Sequence, residues 1–197
     1  MSERAMKPVL SEAVLGEGAS RLARQTMLVA AGVVLIAAAA KVAVPMWPVP
    51  ITMTTFAVLT VGAAYGPGLG LATLLAYLAV GAAGVPVFAG ETAGLSYMLG
   101  GTGGYLVGYA LAAGVLGWAA RRGLDRTVLG MAAALLAGNL AIYVPGLLWL
   151  NQMPYAEGWA WTVENGALPF LLGDALKLVL AAMVLPLAWR LTGRGRD

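Results

Sequence analysis

The sequence predicts an all-α integral membrane protein. Its six transmembrane helices form one bundle with both termini in the cytoplasm, and a long, ordered, Gly-rich loop joins the third helix to the fourth. Three observations lead there. The first is composition: 60% of the 197 residues are apolar and 11% are charged. Soluble domains run at roughly 45–50% and about 25%, and a chain this short leaves too much area exposed to hide the surplus. The second is the grouping of the apolar residues into six runs, several of them near the roughly 20 residues that carry a helix across the hydrocarbon core. The third is charge placement. With the N-terminus inside, ten of the twelve Lys and Arg residues fall on the cytoplasmic side: Arg4, Lys7, Arg21, Arg24, Arg121, Arg122, Arg126, Arg190, Arg194 and Arg196. Positive charge inside is the rule for such chains, and an odd number of crossings would break the agreement.

Residues 1–26 are polar, mixed in sign, and read as a cytoplasmic N-terminal segment. Residues 27–191 read as a single membrane domain, and 192–197 as a cytoplasmic tail. The first apolar run, Met27 to Val44, is interrupted only by Lys41 at its outer end. Its small residues, Ala30 to Gly32 and Ala37 to Ala40, let helix backbones approach closely. That close approach serves packing inside the bundle or docking to a separate membrane partner. Arg21, Arg24 and the run behind them faintly resemble a signal peptide. Cleavage would invert the charge bias, so this helix is expected to stay.

Pro45-Met-Trp-Pro-Val-Pro50 separates the first run from the second, Ile51 to Ala64. Tyr65-Gly-Pro-Gly68 is a turn signal, and Leu69 to Ala83 is the third run. The fourth, Tyr105 to Ala120, stops at Arg121-Arg-Gly-Leu-Asp-Arg126, and the fifth runs from Val128 to Leu150. A polar segment, Asn151 to Gly166, precedes the sixth. That run starts near Pro169, at a first-turn position that suits proline, and ends at Arg190. All six are continuously apolar, which argues against the alternation of a β-barrel.

Composition also narrows the chemistry. The chain has no Cys and no His. Disulfides, thiolate nucleophiles and Cys-ligated metals are excluded, and the commonest general base is missing. No Gly-x-x-x-x-Gly-Lys-Ser/Thr sequence occurs, so the chain carries no P-loop ATPase motif. No enzyme activity, cofactor, metal or nucleic-acid partner is expected.

A few polar residues stand where a membrane protein keeps them only for a reason. Asp174 and Lys177 lie inside the sixth run at i, i+3, on one helix face. Charge at membrane depth costs a few kcal/mol or more and faces a partner or a cavity. The two residues pair with each other, or form a polar ligand site, or Lys177 snorkels to the surface. Asn139 and Tyr143 share a face of the fifth run at i, i+4. They make an interhelical bond or a wall of the same site. The segment Gly84 to Gly104 is too long for an ordinary connection and, with Phe88, Leu95, Tyr97, Met98 and Leu99, too apolar for disorder. It reads as an ordered lid over an outward-facing cavity, or as a loop packed on the bundle.

Taken together, five segments resemble the BioY family of biotin transporters, the substrate-capture (S) components of energy-coupling-factor (ECF) transporters. They are Pro48-Val-Pro-Ile-Thr-Met-Thr-Thr55, Gly84-Val-Pro-Val-Phe-Ala-Gly90, Gly100-Gly-Thr-Gly-Gly-Tyr-Leu-Val-Gly-Tyr109, Ile142-Tyr-Val-Pro-Gly-Leu-Leu-Trp-Leu150 and Pro169-Phe-Leu-Leu-Gly-Asp-Ala-Leu-Lys177. They run in the family's order. Thr54, Leu172 and Glu91 depart from its usual pattern.

The resemblance implies high-affinity biotin binding and uptake across the bacterial cytoplasmic membrane. It also implies a transmembrane coupling (T) subunit and two ATPases as partners, and leaves open whether copies of the chain self-associate. Biotin's ureido ring presents two N–H donors and a carbonyl. Asp174 would accept from the N–H groups, Asn139 would accept or donate, and Lys177 would meet the carbonyl or the valerate carboxylate. Tyr143, Tyr105 and Trp47 would face the apolar parts, as pockets of this kind are mostly apolar. Thr54 and Thr52 would line the mouth, with Glu91 and Thr102 in the lid. An S component for riboflavin or thiamine, and an intramembrane enzyme using Asp174 and Lys177, are the rival readings.

Overall fold

The computed structural model describes residues 7–14 and 20–191. The expected tail, 192–197, lies outside the described residues, as do parts of the N-terminal segment. Backbone N–H and C=O groups find no water in a bilayer, so apolar runs satisfy them internally, as helices. A single-turn helix, α1 (Leu10–Val14), lies in the N-terminal segment. The first membrane helix, α2 (Arg21–Lys41), starts earlier than the apolar run because the Ser20 hydroxyl accepts from the amide of Ala23 and caps it. Then come two-residue strands, β1 (Ala43–Val44) and β2 (Ile51–Thr52). They pair antiparallel with Ala43 opposite Thr52, and the Trp47–Pro48 bond in the loop between them is cis.

The expected second and third runs form one element, α3 (Thr54–Ala82), broken at Gly66 (φ 80°, ψ 175°) just before Pro67. Positive φ is open to glycine at little cost, and Pro67 disfavours helical backbone at the residue before it. The break reverses the chain. A β-carbon on Gly70 would stand 3.2 Å from the Cα of Gly62, residues that a continuous helix would hold about 12 Å apart. The segment after α3 carries a short helix, α4 (Gly94–Met98), before α5 (Gly103–Arg121).

After a 3-10 turn over Leu124–Arg126, α6 spans Val128–Leu150, the bounds of the fifth run. The Thr127 hydroxyl caps it by accepting from the Gly130 amide at 3.2 Å. The polar segment that follows contains a helix the sequence reading leaves out, α7 (Trp159–Gly166). Its start is tied down by the Thr162 hydroxyl, 3.0 Å from both the Gly158 carbonyl and Asn151 Oδ1. α8 (Leu168–Leu191) completes the chain. Among the described residues, five helical stretches are long and apolar enough to cross a membrane, with α3 one of them and α7–α8 another.

The centre of the bundle is α3, α5 and α6. Glycines set how close they come: a β-carbon on Gly62 would stand 2.8 Å from the Cα of Ala113, and one on Gly108 2.7 Å from the Cα of Ile142. α2 lies outside this centre, burying Gly32, Ile36 and Ala40 and leaving most of its other residues partly or fully exposed.

One end of the bundle is basic and braced by the N-terminal segment. Arg121 donates to both carboxylate oxygens of Glu12, at 2.7 and 2.6 Å. The amide of Lys7 donates to the Arg121 carbonyl at 3.0 Å. Val9 is fully buried, next to Gly66. Partial burial pushes the Glu12 carboxyl up, but the Arg121 hydrogen bond, the Val9 amide and nearby positive charge outweigh it and hold the group below its ordinary value. Asp125, buried at the same end, accepts from the Trp189 indole N–H. There burial wins over the hydrogen bond and pushes the carboxyl up.

Candidate functional site

The opposite end holds a partly open cavity whose walls converge on one buried charged pair. Each wall comes from a different stretch of chain. The β1–β2 loop, β2 and the start of α3 supply Val49, Pro50, Thr52, Thr54 and Thr55. The lid supplies Ala89, Tyr97 and Thr102. The first turns of α5 supply Tyr105, Leu106 and Tyr109. α6 supplies Ile142 and Tyr143, and α8 supplies Phe170, Asp174 and Lys177.

The polar focus is on α8. Asp174 and Lys177 are 4% and 6% exposed, so water does not satisfy them. Lys177 Nζ donates to Asp174 Oδ1 at 2.8 Å, and the Tyr143 hydroxyl donates to Asp174 Oδ2 at 2.7 Å. The i, i+3 spacing brings the pair together on one helix, and α6 delivers Tyr143 from the side. Each charge offsets the cost of burying the other. The carboxylate keeps further lone pairs, and the ammonium further N–H donors, for a bound molecule.

The rest of the wall is aromatic, aliphatic and hydroxylic. The rings of Tyr105 and Tyr143 meet edge to face at 6.4 Å between centroids, a favoured geometry for aromatic pairs. The Thr52 hydroxyl donates to Thr54 at 2.8 Å, and Thr102 donates to the Tyr97 carbonyl at 3.3 Å. Such a cavity can hold a molecule with an apolar body and a compact polar group that both donates and accepts hydrogen bonds.

This lining and fold invite comparison with known proteins. The model of the BioY family matches residues 6–194 of the chain. The chain belongs to the BioY family. It is 36% identical over 162 residues to the probable biotin transporter BioY of Pyrococcus horikoshii, covering 82% of this chain and 94% of that one. It is 34% identical over 159 residues to the biotin transporter BioY of Thermotoga maritima, covering 80% and 92%. The crystal structure of the S-component for biotin from an ECF-type ABC transporter superposes with a TM-score of 0.78 at 21% identity. That match covers 89% of this chain and 95% of that one, and shows a shared S-component fold.

In this BioY-family chain the structure gathers Asp174, Lys177, Tyr143, Tyr105, Thr54 and Thr102 around one cavity. Three residues singled out from sequence stand outside the lining. Trp47 is 65% exposed and packs on Tyr155 and Trp161, at centroid distances of 5.0 and 5.8 Å. The β1–β2 loop turns it outward, into an aromatic cluster with the α6–α7 connection. Glu91 is exposed, on a bend between α3 and α4, and does not line the cavity. Asn139 is buried below the lining, one helical turn from Tyr143, and its Oδ1 has no hydrogen-bond partner. Tyr105 contributes its ring rather than its hydroxyl, which donates to the Gly166 carbonyl at 2.7 Å.

Sequence reasoning missed Tyr109, Tyr97 and Thr55. Tyr109 had a usable signal, since it follows Tyr105 at i, i+4 and shares its face. Phe170 and Ile142 had none, because an apolar residue inside an apolar run does not show which way it points.

Proposed function

We propose that the chain is the biotin-capturing subunit of an ECF-type transporter. The observation that carries this reading is the buried Asp174–Lys177 pair, joined by Tyr143, in a cavity of a BioY-family fold lined otherwise by aromatic, aliphatic and threonine side chains. Biotin enters from outside. The ureido N–H groups donate to the Asp174 carboxylate, and Lys177 donates to the ureido carbonyl or the valerate carboxylate. Charge-assisted bonds of this kind are the strong ones. The rings of Tyr105, Tyr143 and Tyr109 flank the bicycle, Thr54 and Thr102 line its rim, and Asn139 supports the floor from below.

The chain crosses the membrane six times in this reading, the two arms of α3 counting as separate crossings. Both termini are cytoplasmic, the membrane domain covers residues 27–191, and the basic end faces the cytoplasm. The lid faces outward over the cavity. The chain has no P-loop sequence, so the energy for release comes from partners: a transmembrane coupling subunit and two ATPases in the cytoplasmic membrane. It binds and carries, and performs no chemistry on its cargo.

Calorimetric titration of the detergent-solubilised protein with biotin tests the reading, beside Asp174→Asn and a panel containing riboflavin and thiamine. Saturable binding of biotin alone, weakened about 10–100-fold in the variant, is the expected result. Binding of another vitamin in its place would reassign the cargo.

A further inference from the structure

Lys41, at the C-terminal end of the first membrane helix, is a charged residue that biotin binding leaves without a task. It ends α2, where a cation is favoured by the helix dipole, and a lysine there ordinarily sends its ammonium into water. Here Nζ instead reaches the lid. It donates to the Phe88 carbonyl at 2.8 Å and to the Gly90 carbonyl at 2.7 Å. Those two carbonyls bracket Ala89, a residue of the cavity wall.

The same short segment is held from its other side. Phe88 is fully buried, with its ring stacked on Tyr97 at 4.8 Å and set edge-on to Tyr77 at 5.4 Å. The Tyr77 hydroxyl donates to the Val87 carbonyl at 3.2 Å. Tyr97 is itself part of the cavity wall. Gly90 and Gly94 follow at φ 71° and 79°, conformations that glycine adopts readily and other residues resist. Two carbonyls held by one ammonium tie the backbone at 88–90 to the end of α2, and a swing of Ala89 out of the wall would have to break or re-form these bonds. Lys41 is exposed, so removing its ammonium takes no packing out of the core.

We propose that Lys41 is a positioning residue for ligand retention. It fastens the lid at 88–90 to α2, holding Ala89 in the wall and, through the Phe88–Tyr97 stack, Tyr97 over the cavity. The proposal rests on the reading of the cavity as a biotin site, and it ties the position of the outermost helix to closure of that site.

The test measures biotin association and dissociation rates, and hydrogen exchange of the 85–93 peptide without ligand, in wild type, Lys41→Met, Lys41→Arg and Tyr77→Phe. Losing bonds to a charged donor is expected to speed release on the order of tenfold, with association little changed, as is usual within one interface. Lid amides exchange faster in Lys41→Met while the central helices keep wild-type protection, and Lys41→Arg restores both readouts. Tyr77→Phe, which loses one neutral bond to the same segment, shifts both in the same direction by less. Wild-type release and wild-type lid exchange in Lys41→Met would overturn the proposal, as would faster exchange spread evenly through the protein. Should Lys41→Met not fold, Tyr77→Phe decides, and unchanged release with unchanged lid exchange there also overturns it. A wild type that does not bind biotin sinks the cargo reading, while the exchange data still decide whether Lys41 holds the lid.

Discussion

Gly62 and Gly70 touch across the break at Gly66, so close that a β-carbon on Gly70 would lie 3.2 Å from the Cα of Gly62. Both also pack on Ala113 of α5. This three-way contact makes the two arms of α3 a tight antiparallel pair and seats α5 in their groove. Gly62→Ala puts a methyl group 2.8 Å from the Ala113 Cα, against backbone that cannot swing aside. A loss of about 1–3 kcal/mol is expected, typical of overpacking. Gly114→Ala, on α5 with open space around it, is the control and leaves the melting temperature unchanged or slightly raised. Thermal unfolding in detergent checks both.

The reversal at Gly66 bears on topology. If the arms of α3 are separate crossings, the N-terminal segment and the 121–126 turn lie on the same side of the membrane, opposite the α6–α7 connection. The chain contains no cysteine, so single cysteines can be introduced without background. Glu157→Cys is expected to react with a membrane-impermeant maleimide in intact cells. Arg122→Cys reacts only after the membrane is opened. The reverse pattern would invert the proposed orientation.

The Asp174–Lys177 pair separates binding from stability. Asp174→Asn removes a charge-assisted acceptor, so biotin affinity is expected to fall about 10–100-fold, the equivalent of about 1.5–3 kcal/mol. It also leaves Lys177 buried without its counter-charge, at a cost of about 3–5 kcal/mol in soluble hosts. The double variant Asp174→Asn/Lys177→Met recovers melting temperature without recovering binding. Recovery of both would remove the pair from the site.

Glu12 and Asp125 sit at the same end and titrate with opposite sign. The folded protein holds Glu12 below its ordinary value of 4.5. Its stabilising effect is therefore complete above 4.5 and is lost as pH falls through the lower folded value. The Glu12 side chain is 42% exposed, so solvent screening limits the bridge to under about 1 kcal/mol. Glu12→Gln is expected to show a small deficit at pH 7 that closes below the folded value. Melting temperatures against pH measure it.

Asp125 is raised above its ordinary 3.8. Its charged form is therefore a burden above the folded value, and the burden lifts as pH falls through that value. Trp189→Phe removes the indole donor from this carboxylate, whose Oδ1 already has no partner. The variant is expected to lose about 1–3 kcal/mol at pH 7 and to recover part of it in mild acid. A pH-independent deficit would assign the effect to lost packing of the ring instead.

Much of the architecture was legible because the bilayer imposes it residue by residue. The bounds of α6, the turn at 65–68 and the stop at Arg121 all mark changes of composition along the chain. α7 was not legible, since Trp159-Ala-Trp-Thr-Val-Glu-Asn-Gly166 is short and mixed. Only tertiary contact gives such a helix its stability. That Asp174, Lys177 and Tyr143 would find partners was legible, because a polar group in an apolar run needs one, and the three meet at one cavity. Trp47 was misplaced because an aromatic residue suits a cavity wall and an exposed aromatic cluster equally well.

The sequence by itself determined the solvent, the bounds of α6, the bias of positive charge and the placing of two charged residues on one face of the last helix. Only the tertiary structure decided which faces of those helices meet. In water, an amphipathic stripe records which side of a helix turns inward. Here lipid and protein interior are equally apolar, so helix rotation follows from packing of small residues and from polar contacts between distant segments. That is why Tyr143 finds Asp174 on another helix, why the hydroxyl of Tyr105 goes to Gly166 rather than the cavity, and why Lys41 closes on the lid.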